Sequence, residues 1–307
     1  MAELVAGKFG SGRGSRPLIS LSNTPAAYLF LLPVVVVLAG LVAYPLLDGI
    51  ATSLTDRSVG RRGEFVAFSN FAKLWGDPIY RIATMNSILV TTATVAAKTI
   101  LGLFTAVILT QRFPLRSLVR TLVFLPWAVP GLIAGLSWRW LFDETSGVLN
   151  AALFLVGAVT EPVAWLSDPQ IAMGAIIVAS VWHGLPFFAM MFIAGMTAIP
   201  RELYEAAALD GASPWQTFWR VTLPSLRDVM AITVMLSSIW TFNSFHMVFI
   251  LTGGGPANRT HILPTLAYEY GIRRSELGLG SAVIVSAVPV FLIIIVWLTR
   301  RMLSDAR

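Results

Sequence analysis

The chain is organised around one stretch, Glu205-Ala206-Ala207-Ala208-Leu209-Asp210-Gly211-Ala212, which lies among apolar segments without being one. Pro200 precedes it and suits the start of a helix, whereas Gly211 can take the left-handed conformation that ends one. Ser213 and Gln216 have the spacing of a capping box at the start of a second helix. The stretch therefore predicts two short helices separated by a sharp turn.

The first of these helices is suited to docking onto another protein. Its alanines carry almost no side chain, so the helix can approach another backbone closely while Glu205 and Asp210 extend beyond it. The alternative is an amphipathic helix that lies on a membrane. Such helices combine a broad apolar face with basic residues, and residues 202–212 are instead alanine-rich and acidic. The composition of the helix favours docking.

The overall composition places the chain in a lipid bilayer. Of its 307 residues, 56% are hydrophobic and 12% are charged, whereas about 25% of the residues in soluble domains are charged. Six apolar runs are long enough to cross a hydrocarbon core of about 30 Å. These runs are residues 26–47, 84–110, 117–140, 169–196, 227–251 and 278–299. We predict an all-α integral membrane protein with six transmembrane helices, the first of them a retained signal anchor.

An even number of spans puts both termini on one side of the membrane. If that side is the cytoplasm, inner segments hold twelve of the 22 basic residues and outer segments hold nine, with Lys98 inside the membrane. Because basic residues favour the cytoplasmic side, we predict that both termini are inside and that the Glu205 stretch is cytoplasmic. The predicted domains are a basic tail at 1–25, a transmembrane domain at 26–300 that includes the cytoplasmic loop 197–226, and a tail at 301–307.

Two further segments have a predicted local geometry. Pro126 and Pro130 in the third run free backbone carbonyls of the helix. Gly131 and Gly135 beyond them allow close approach of another helix, so we expect this span to bend and to pack. The fifth run continues into Gly253-Gly254-Gly255-Pro256, which has little preference for regular structure and predicts an outer loop.

The segment from Glu205 to Pro224 resembles the EAA loop of ABC importer permeases. That pattern has Glu-Ala-Ala, then Asp-Gly-Ala, then a hydrophobic residue followed by x-Leu-Pro, and every position is filled. Other motifs are similar, more narrowly, to the carbohydrate-uptake subfamily of the maltose and glycerol-3-phosphate permease type. They are Phe71 with Asp77-Pro78 and Asn86-Ser87, Arg120 with Phe124-Leu125-Pro126, Trp138 to Phe142 with Gly147 and Asn150, Leu251 to Pro256, and Gly278 to Ala282. The resemblance extends over roughly residues 65–285.

This resemblance implies a type I ABC importer of the bacterial plasma membrane. Two permease subunits, expected to be different chains, would form the pore for a carbohydrate, two ATPase subunits would dock below, and an extracytoplasmic binding protein would deliver the solute. The helix that couples to the ATPase would consist of Glu205, Ala206, Ala207, Asp210, Gly211 and Ala212. The loop that contacts the binding protein would consist of Gly253, Gly254, Gly255 and Pro256.

The chain itself is expected to be neither an enzyme nor a binder of cofactors. The sequence contains no Gly-x-x-x-x-Gly-Lys-Ser/Thr motif, so ATP and magnesium are expected on the partner subunits. With no cysteine, and with three histidines spread over two spans and a loop, it predicts no metal site and no cluster of catalytic groups. The net charge of +6 needs no nucleic-acid partner in a protein surrounded by membrane lipid.

Candidate solute contacts lie in the fourth and fifth runs. Aromatic faces combined with a few neutral hydrogen-bonding groups suit a sugar, whose rings offer C–H faces and whose hydroxyls need directed partners. The residues with these properties are His183 at mid-depth, Trp240, Phe242, Asn243 and His246. Packing between helices is the alternative, because Asn and His also form hydrogen bonds across membrane helices.

Lys98 is the remaining ionisable residue at mid-depth. If it faced lipid, it would cost about 2.5–3.5 kcal/mol on insertion scales, so it is expected to face protein or to snorkel. A further hypothesis is that Lys98 is the counter-ion of a phosphorylated solute. A rival function for the whole chain is a proton-coupled secondary transporter of small polar solutes that uses His183 and Lys98. That rival leaves the docking helix without a purpose, and the sequence has no convincing duplicated half.

Overall fold

The computed structural model describes residues 24–289, which are almost entirely helical, with two isolated β-bridge pairs near residues 55–65. The helices are α1 Thr24–Leu38, α2 Tyr44–Ser53, α3 Ser69–Gly76, α4 Pro78–Thr110, α5 Arg116–Ala128, α6 Gly131–Leu141, α7 Val148–Leu155, α8 Ala172–Ala198, α9 Arg201–Leu209, α10 Pro214–Thr217, α11 Leu223–Ser225, α12 Arg227–Phe242, α13 Phe245–Leu251, α14 Leu263–Tyr268 and α15 Leu277–Val285. Single π-helical turns join α1 to α2 and α10 to α11, and another follows α14. The predicted tail 301–307, nearly all of the tail 1–25 and residues 290–299 of the sixth predicted span lie outside the described residues.

The chain divides into two compact units between Gly49 and Ile50. In the first unit, α1 and the start of α2 carry apolar side chains that are exposed from Tyr28 to Leu47. The helix Tyr28–Ser53 is long and apolar enough to cross a membrane. An apolar surface of this length is stable where it meets lipid or another apolar surface.

In the second unit, α4 and α8 are each long and apolar enough to cross a membrane, and two bent helix pairs satisfy the same test only when each pair is taken together. The described residues therefore contain three single-helix candidate spans, or up to five with the bent pairs. This agrees with an all-helical membrane protein. Of the sixth predicted span, the structure describes α15, which ends at Val285.

The third predicted span is not one continuous helix. Its bend is confirmed, but it separates two helices, α5 and α6, whose axes differ by 100°. Val129 and Pro130 adopt extended backbone conformations between them. Pro130 has no N–H to donate, and the residue before a proline is disfavoured in the α conformation. The fifth span is also broken, by 46°, at Asn243 and Ser244.

Small residues allow the helices to pack closely, as in other membrane bundles. A Cβ at Gly102 of α4 would overlap the Phe188 side chain of α8, and the cluster at this contact includes the buried Leu109 and Phe192. Gly135 of α6 lies against Ile250 of α13. The predicted close approach at the glycines of the third span is therefore confirmed, and α13 is the helix that approaches.

Polar side chains of the motifs at the Pro78 end of α4 tie the loops together. Asn86 Nδ2 donates hydrogen bonds to the carbonyls of Arg259 and His261, at 2.8 and 2.9 Å. Asp77 caps α4 through the Ile79 N–H and also accepts a hydrogen bond from the Tyr270 hydroxyl. Burial and this bond to a carboxylate raise the pKa of Tyr270 well above its usual value, so the hydroxyl stays a donor. These motifs fix the geometry of one end of the bundle.

Candidate functional site

A cavity of about 190 Å³ lies where the two broken helix pairs meet α4 and α8. Its wall combines polar side chains with aromatic ones. The lining residues are Lys98 from α4, Trp127 from α5, Ser180, His183, Gly184 and Phe187 from α8, Ser237, Trp240 and Thr241 from α12, and Ser244, His246 and Met247 from the break and α13. The cavity thus depends on residues far apart in the sequence.

His183 stabilises the break between α5 and α6. Its Nε2 lies 3.0 Å from the Val129 carbonyl oxygen, and a carbonyl only accepts, so Nε2 carries the proton and donates. Val129 follows α5 and has an extended conformation, so its carbonyl lies outside the helical hydrogen-bond pattern. His183 supplies a hydrogen-bond partner for this partly buried carbonyl.

His246 lies at the same break. A Cβ at Gly131, the first residue of α6, would overlap the His246 ring. The rings of His183 and His246 are 6.4 Å apart in an edge-on arrangement. Gly131 therefore allows α13 to bring its histidine beside the first one, and the two rings meet at the point where α6 begins.

Lys98 is buried, with 7% of its surface exposed. Its Nζ donates a hydrogen bond of 3.4 Å to the Thr241 hydroxyl, and a Cβ at Gly184 would overlap its Cε and Nζ. The expectation that Lys98 faces protein rather than lipid is confirmed. Sequence position alone does not reveal that it shares a cavity with both histidines, since α4, α8 and α13 meet only in the folded chain.

Three of the five predicted solute contacts share the cavity. His183, His246 and Trp240 line it, and the Trp240 ring lies 5.1 Å from that of Phe187. Asn243 is exposed, outside the lining, and donates to the Ile239 carbonyl at the end of its own helix. Phe242 packs instead against a cluster formed by α4, α14 and α15. Phe242 and Asn243 therefore lie outside the cavity wall.

The loop around Glu205 has the predicted local structure. Helix α9 ends at Leu209, and Gly211, just beyond its cap residue Asp210, has a φ of +72°. Ser213 and Gln216 form a reciprocal capping box at the start of α10. One detail differs, because Pro200 is the cap residue of α9 and the helix begins at Arg201.

This loop presents an exposed surface. Glu205, Ala206, Asp210 and Gly211 are exposed, whereas Ala207 and Ala212 are half-buried. Large apolar side chains surround them, with Leu209 90% and Trp215 69% exposed. The exposure of Leu209 and Trp215 was not predicted, although tryptophans between the charged residues Asp210 and Arg220 are a visible signal in the sequence. Exposed apolar groups with a polar surround are typical of protein contact surfaces.

Contacts with Thr260 and His261 hold the Gly253–Pro256 segment in place. A Cβ at Gly254, whose φ is +94°, would overlap the His261 ring, and Thr260 donates to the Gly255 carbonyl. Burial lowers the pKa of His261, against a smaller opposing effect of Glu269. Gly254 is buried, and the exposed part of the loop is Ala257–Arg259. Any partner at this loop would therefore meet residues 257–259 first.

Comparisons with known proteins agree on one family. Residues 98–304 match the model of the binding-protein-dependent transport system inner membrane component. The chain is 34% identical to the trehalose/maltose transport system permease protein MalF of Thermococcus litoralis, over 83% of this chain and 86% of that protein. It is 32% identical to the sulfoquinovosyl glycerol transport system permease protein SmoG of Agrobacterium fabrum, over 87% of both. A chain of a bacterial alginate ABC transporter, solved in complex with a periplasmic protein that carries an alginate pentasaccharide, has a similar fold, with a TM-score of 0.79, 20% identity and coverage of 90% and 94%.

Proposed function

Because this chain belongs to the family of binding-protein-dependent transport system inner membrane components, we propose that it is a permease subunit of an ATP-driven carbohydrate importer. The observation that carries this proposal is the exposed loop around Glu205, with its Gly211 turn and its capping box at α10, none of whose residues lines the polar cavity between the bent helices. Such a chain makes and breaks no covalent bonds. Two relatives are named as transporters of trehalose and maltose and of sulfoquinovosyl glycerol, which supports a carbohydrate solute.

In this proposal the chain crosses the membrane six times with both termini in the cytoplasm. ATPase subunits, which bind ATP and magnesium, dock on the surface formed by Glu205, Asp210, Leu209 and Trp215. When they close, α9 and α10 move with them and carry the spans to which they are connected. The cavity then changes the side on which it opens. Coupling of this kind requires that the ATP-bound ATPase subunits and the solute-binding protein each bind one state of the permease more tightly than the other.

The remaining partners follow from the two ends of the bundle. An extracytoplasmic binding protein would contact Ala257–Arg259, the exposed part of the Gly253 loop. A second permease, most simply a related but different chain, would complete the pore in a bacterial plasma membrane. The solved alginate transporter, which is similar in fold, has a periplasmic protein bound, and this supports the expectation of such a partner.

Affinity purification from native membranes tests the proposal. The wild-type chain, extracted in mild detergent, is expected to bring down an ATPase subunit, a second permease and a binding protein. Gly211→Asp is expected to lose only the ATPase. The new carboxylate would change the docking surface, because Gly211 is exposed. The rest of the fold should be kept, because a side chain at this position meets no atom of the chain within 4 Å. Glu205→Lys reverses one charge of the docking surface and is also expected to lose the ATPase.

Gly157→Asp is the matched control. Gly157 also has a positive φ, of +68°, and open space around its Cβ position, but it follows α7, far along the chain from the docking surface. It should retain every subunit. A wild-type chain that purifies alone, or a Gly211→Asp chain that keeps its ATPase and normal uptake, would contradict the docking role.

One observation favours the rival function of a proton-coupled transporter. Two histidines and a lysine line a single cavity, and such groups can relay protons. Uptake into proteoliposomes separates the two functions. The proposal predicts uptake with ATP in the lumen and no imposed proton gradient. Uptake that follows a proton gradient without ATP would establish the rival.

A further inference from the structure

Within residues 24–289, the cavity contains a buried cation without a counter-charge. Lys98 is 7% exposed, and its one hydrogen bond to the described residues is to a neutral hydroxyl. None of the described residues that line the cavity is an aspartate or glutamate, and no described carboxylate forms an ion pair with the ammonium. Buried charges in proteins are normally paired. The observation therefore raises the question of what binds this ammonium group.

The ammonium group has donors to spare. A lysine carries three N–H donors, and within the described part of the chain only Thr241 accepts one of them. The glycine at position 184 keeps α8 clear of the amine, because a Cβ there would overlap Nζ and Cε. The amine thus lies at the cavity wall, packed against the backbone of Gly184.

The rest of the wall suits a sugar. Hydroxyl groups come from Ser180, Ser237 and Ser244, and the indole and phenyl rings of Trp240 and Phe187 provide an apolar face. Aromatic faces pack against the C–H side of sugar rings, and the hydroxyls offer neutral hydrogen bonds. A wall that adds a single cation to these groups is complementary to a sugar that carries one negative group.

We propose that Lys98 recognises the oxyanion of an acidic carbohydrate, one that bears a carboxylate, sulfonate or phosphate group. This inference rests on the proposed function, since it specifies the solute class of the same cavity. Hydrogen bonds between an ammonium and an oxyanion are roughly twice as strong as neutral ones. Lys98 therefore selects acidic solutes over neutral sugars of the same shape.

The test uses the complete importer in proteoliposomes, with its binding protein and with ATP in the lumen. The vesicles receive one mixture of matched neutral and acidic sugars, and mass spectrometry identifies those that accumulate relative to vesicles loaded with ADP. The mixture contains glucosyl glycerol and sulfoquinovosyl glycerol, trehalose and trehalose 6-phosphate, and neutral and uronate oligosaccharides. We expect acidic sugars to accumulate. The identity of the acidic sugar that accumulates shows whether the site recognises a sulfonate, a phosphate or a carboxylate.

Four variants locate this selectivity. Lys98→Met keeps the length of the side chain without its charge and should lower accumulation of the acidic solute at least about tenfold, whereas Lys98→Arg should retain part of it. Gly184→Ala keeps the charge but displaces the amine, and should also lower accumulation. Lys73→Met removes an exposed lysine of α3 and is the control for loss of one charge.

Accumulation of neutral sugars alone would overturn the inference and leave the proposed function standing. The inference would also be overturned by a Lys98→Met importer that takes up the acidic solute as the wild type does. If Lys98→Met does not assemble, Gly184→Ala decides, and unchanged uptake of the acidic solute by this variant overturns the inference. Absence of any ATP-dependent accumulation would overturn the proposed function itself.

Discussion

At the scale of single residues, a glycine in this chain can be required by its conformation, by the space around it, or by both. Gly157 and Gly254 both have positive φ, +68° and +94°. The Cβ position at Gly157 is open, whereas at Gly254 it overlaps the ring of His261, which is 3% exposed. The pair allows the two requirements to be measured separately.

Gly254→Ala is predicted to destabilise the protein more than Gly157→Ala. Both variants have the cost of a left-handed alanine, about 1–2 kcal/mol. Gly254→Ala must also move a buried imidazole, and such overpacking typically costs a further 1–3 kcal/mol or so. Unfolding by denaturant in mixed micelles measures the difference. Equal losses in the two variants would mean that the His261 ring moves aside freely.

At the scale of elements, the two broken helix pairs shape the cavity. A continuous helix satisfies its own backbone, but a break leaves carbonyls that need other partners. At the break after α5, the Val129 carbonyl accepts a hydrogen bond from the Nε2–H of His183. The same histidine lines the cavity, so one side chain connects the stability of the break to the shape of the site.

His183→Ala is predicted to destabilise the break by about 0.5–1.5 kcal/mol, the usual net contribution of one intramolecular hydrogen bond, which here is partly buried. His183→Gln, whose amide can donate to the same carbonyl, should recover part of this loss. Amide hydrogen exchange at the start of α6 is the most direct measurement, and it should become faster in the alanine variant.

His246→Ala is the control for this prediction. His246 lies at the same break, but its ring makes no hydrogen bond within the described part of the chain, so its loss should affect packing without freeing a carbonyl. If both alanine variants speed exchange at α6 equally, the hydrogen bond to Val129 is not what holds the break.

At the scale of the whole molecule, the proposed topology places the loop around Glu205 and the loop around Asn258 on opposite sides of the membrane. The chain has no cysteine, so each introduced cysteine reports on one position alone. Ala208 and Asn258 are both exposed, which makes them suitable sites.

Cysteine at position 258 is predicted to react with a membrane-impermeant maleimide in intact cells. Cysteine at position 208, or near either terminus at positions 5 and 305, should react only after the membrane is permeabilised. Labelling yields in intact and permeabilised cells measure this directly. Reaction of the two termini from opposite sides would exclude six spans, and reaction of all three inner sites from outside would reverse the orientation.

Local features were predictable from the sequence because they depend on neighbours within a few residues. The Gly211 turn and the Ser213 capping box are decided by backbone conformation and hydrogen bonds that do not leave the segment. The apolar runs are equally local, because the length and hydrophobicity of each run decide by themselves whether it is stable in the bilayer. The bend at Pro130 was predicted for the same reason, but its size was not, because the helices packed on α5 and α6 set the angle.

By itself, then, the sequence determined the helical membrane class, the local structure of the loop around Glu205 and the resemblance to a permease family that the comparisons confirmed. Only the tertiary structure decided which polar residues meet. Lys98, His183 and His246 lie on three helices and share one cavity, whereas Asn243, three residues from His246, is turned away. Helix periodicity gives the face of a residue only while the helix is continuous, and the break at Asn243 changes the direction in which each following side chain points.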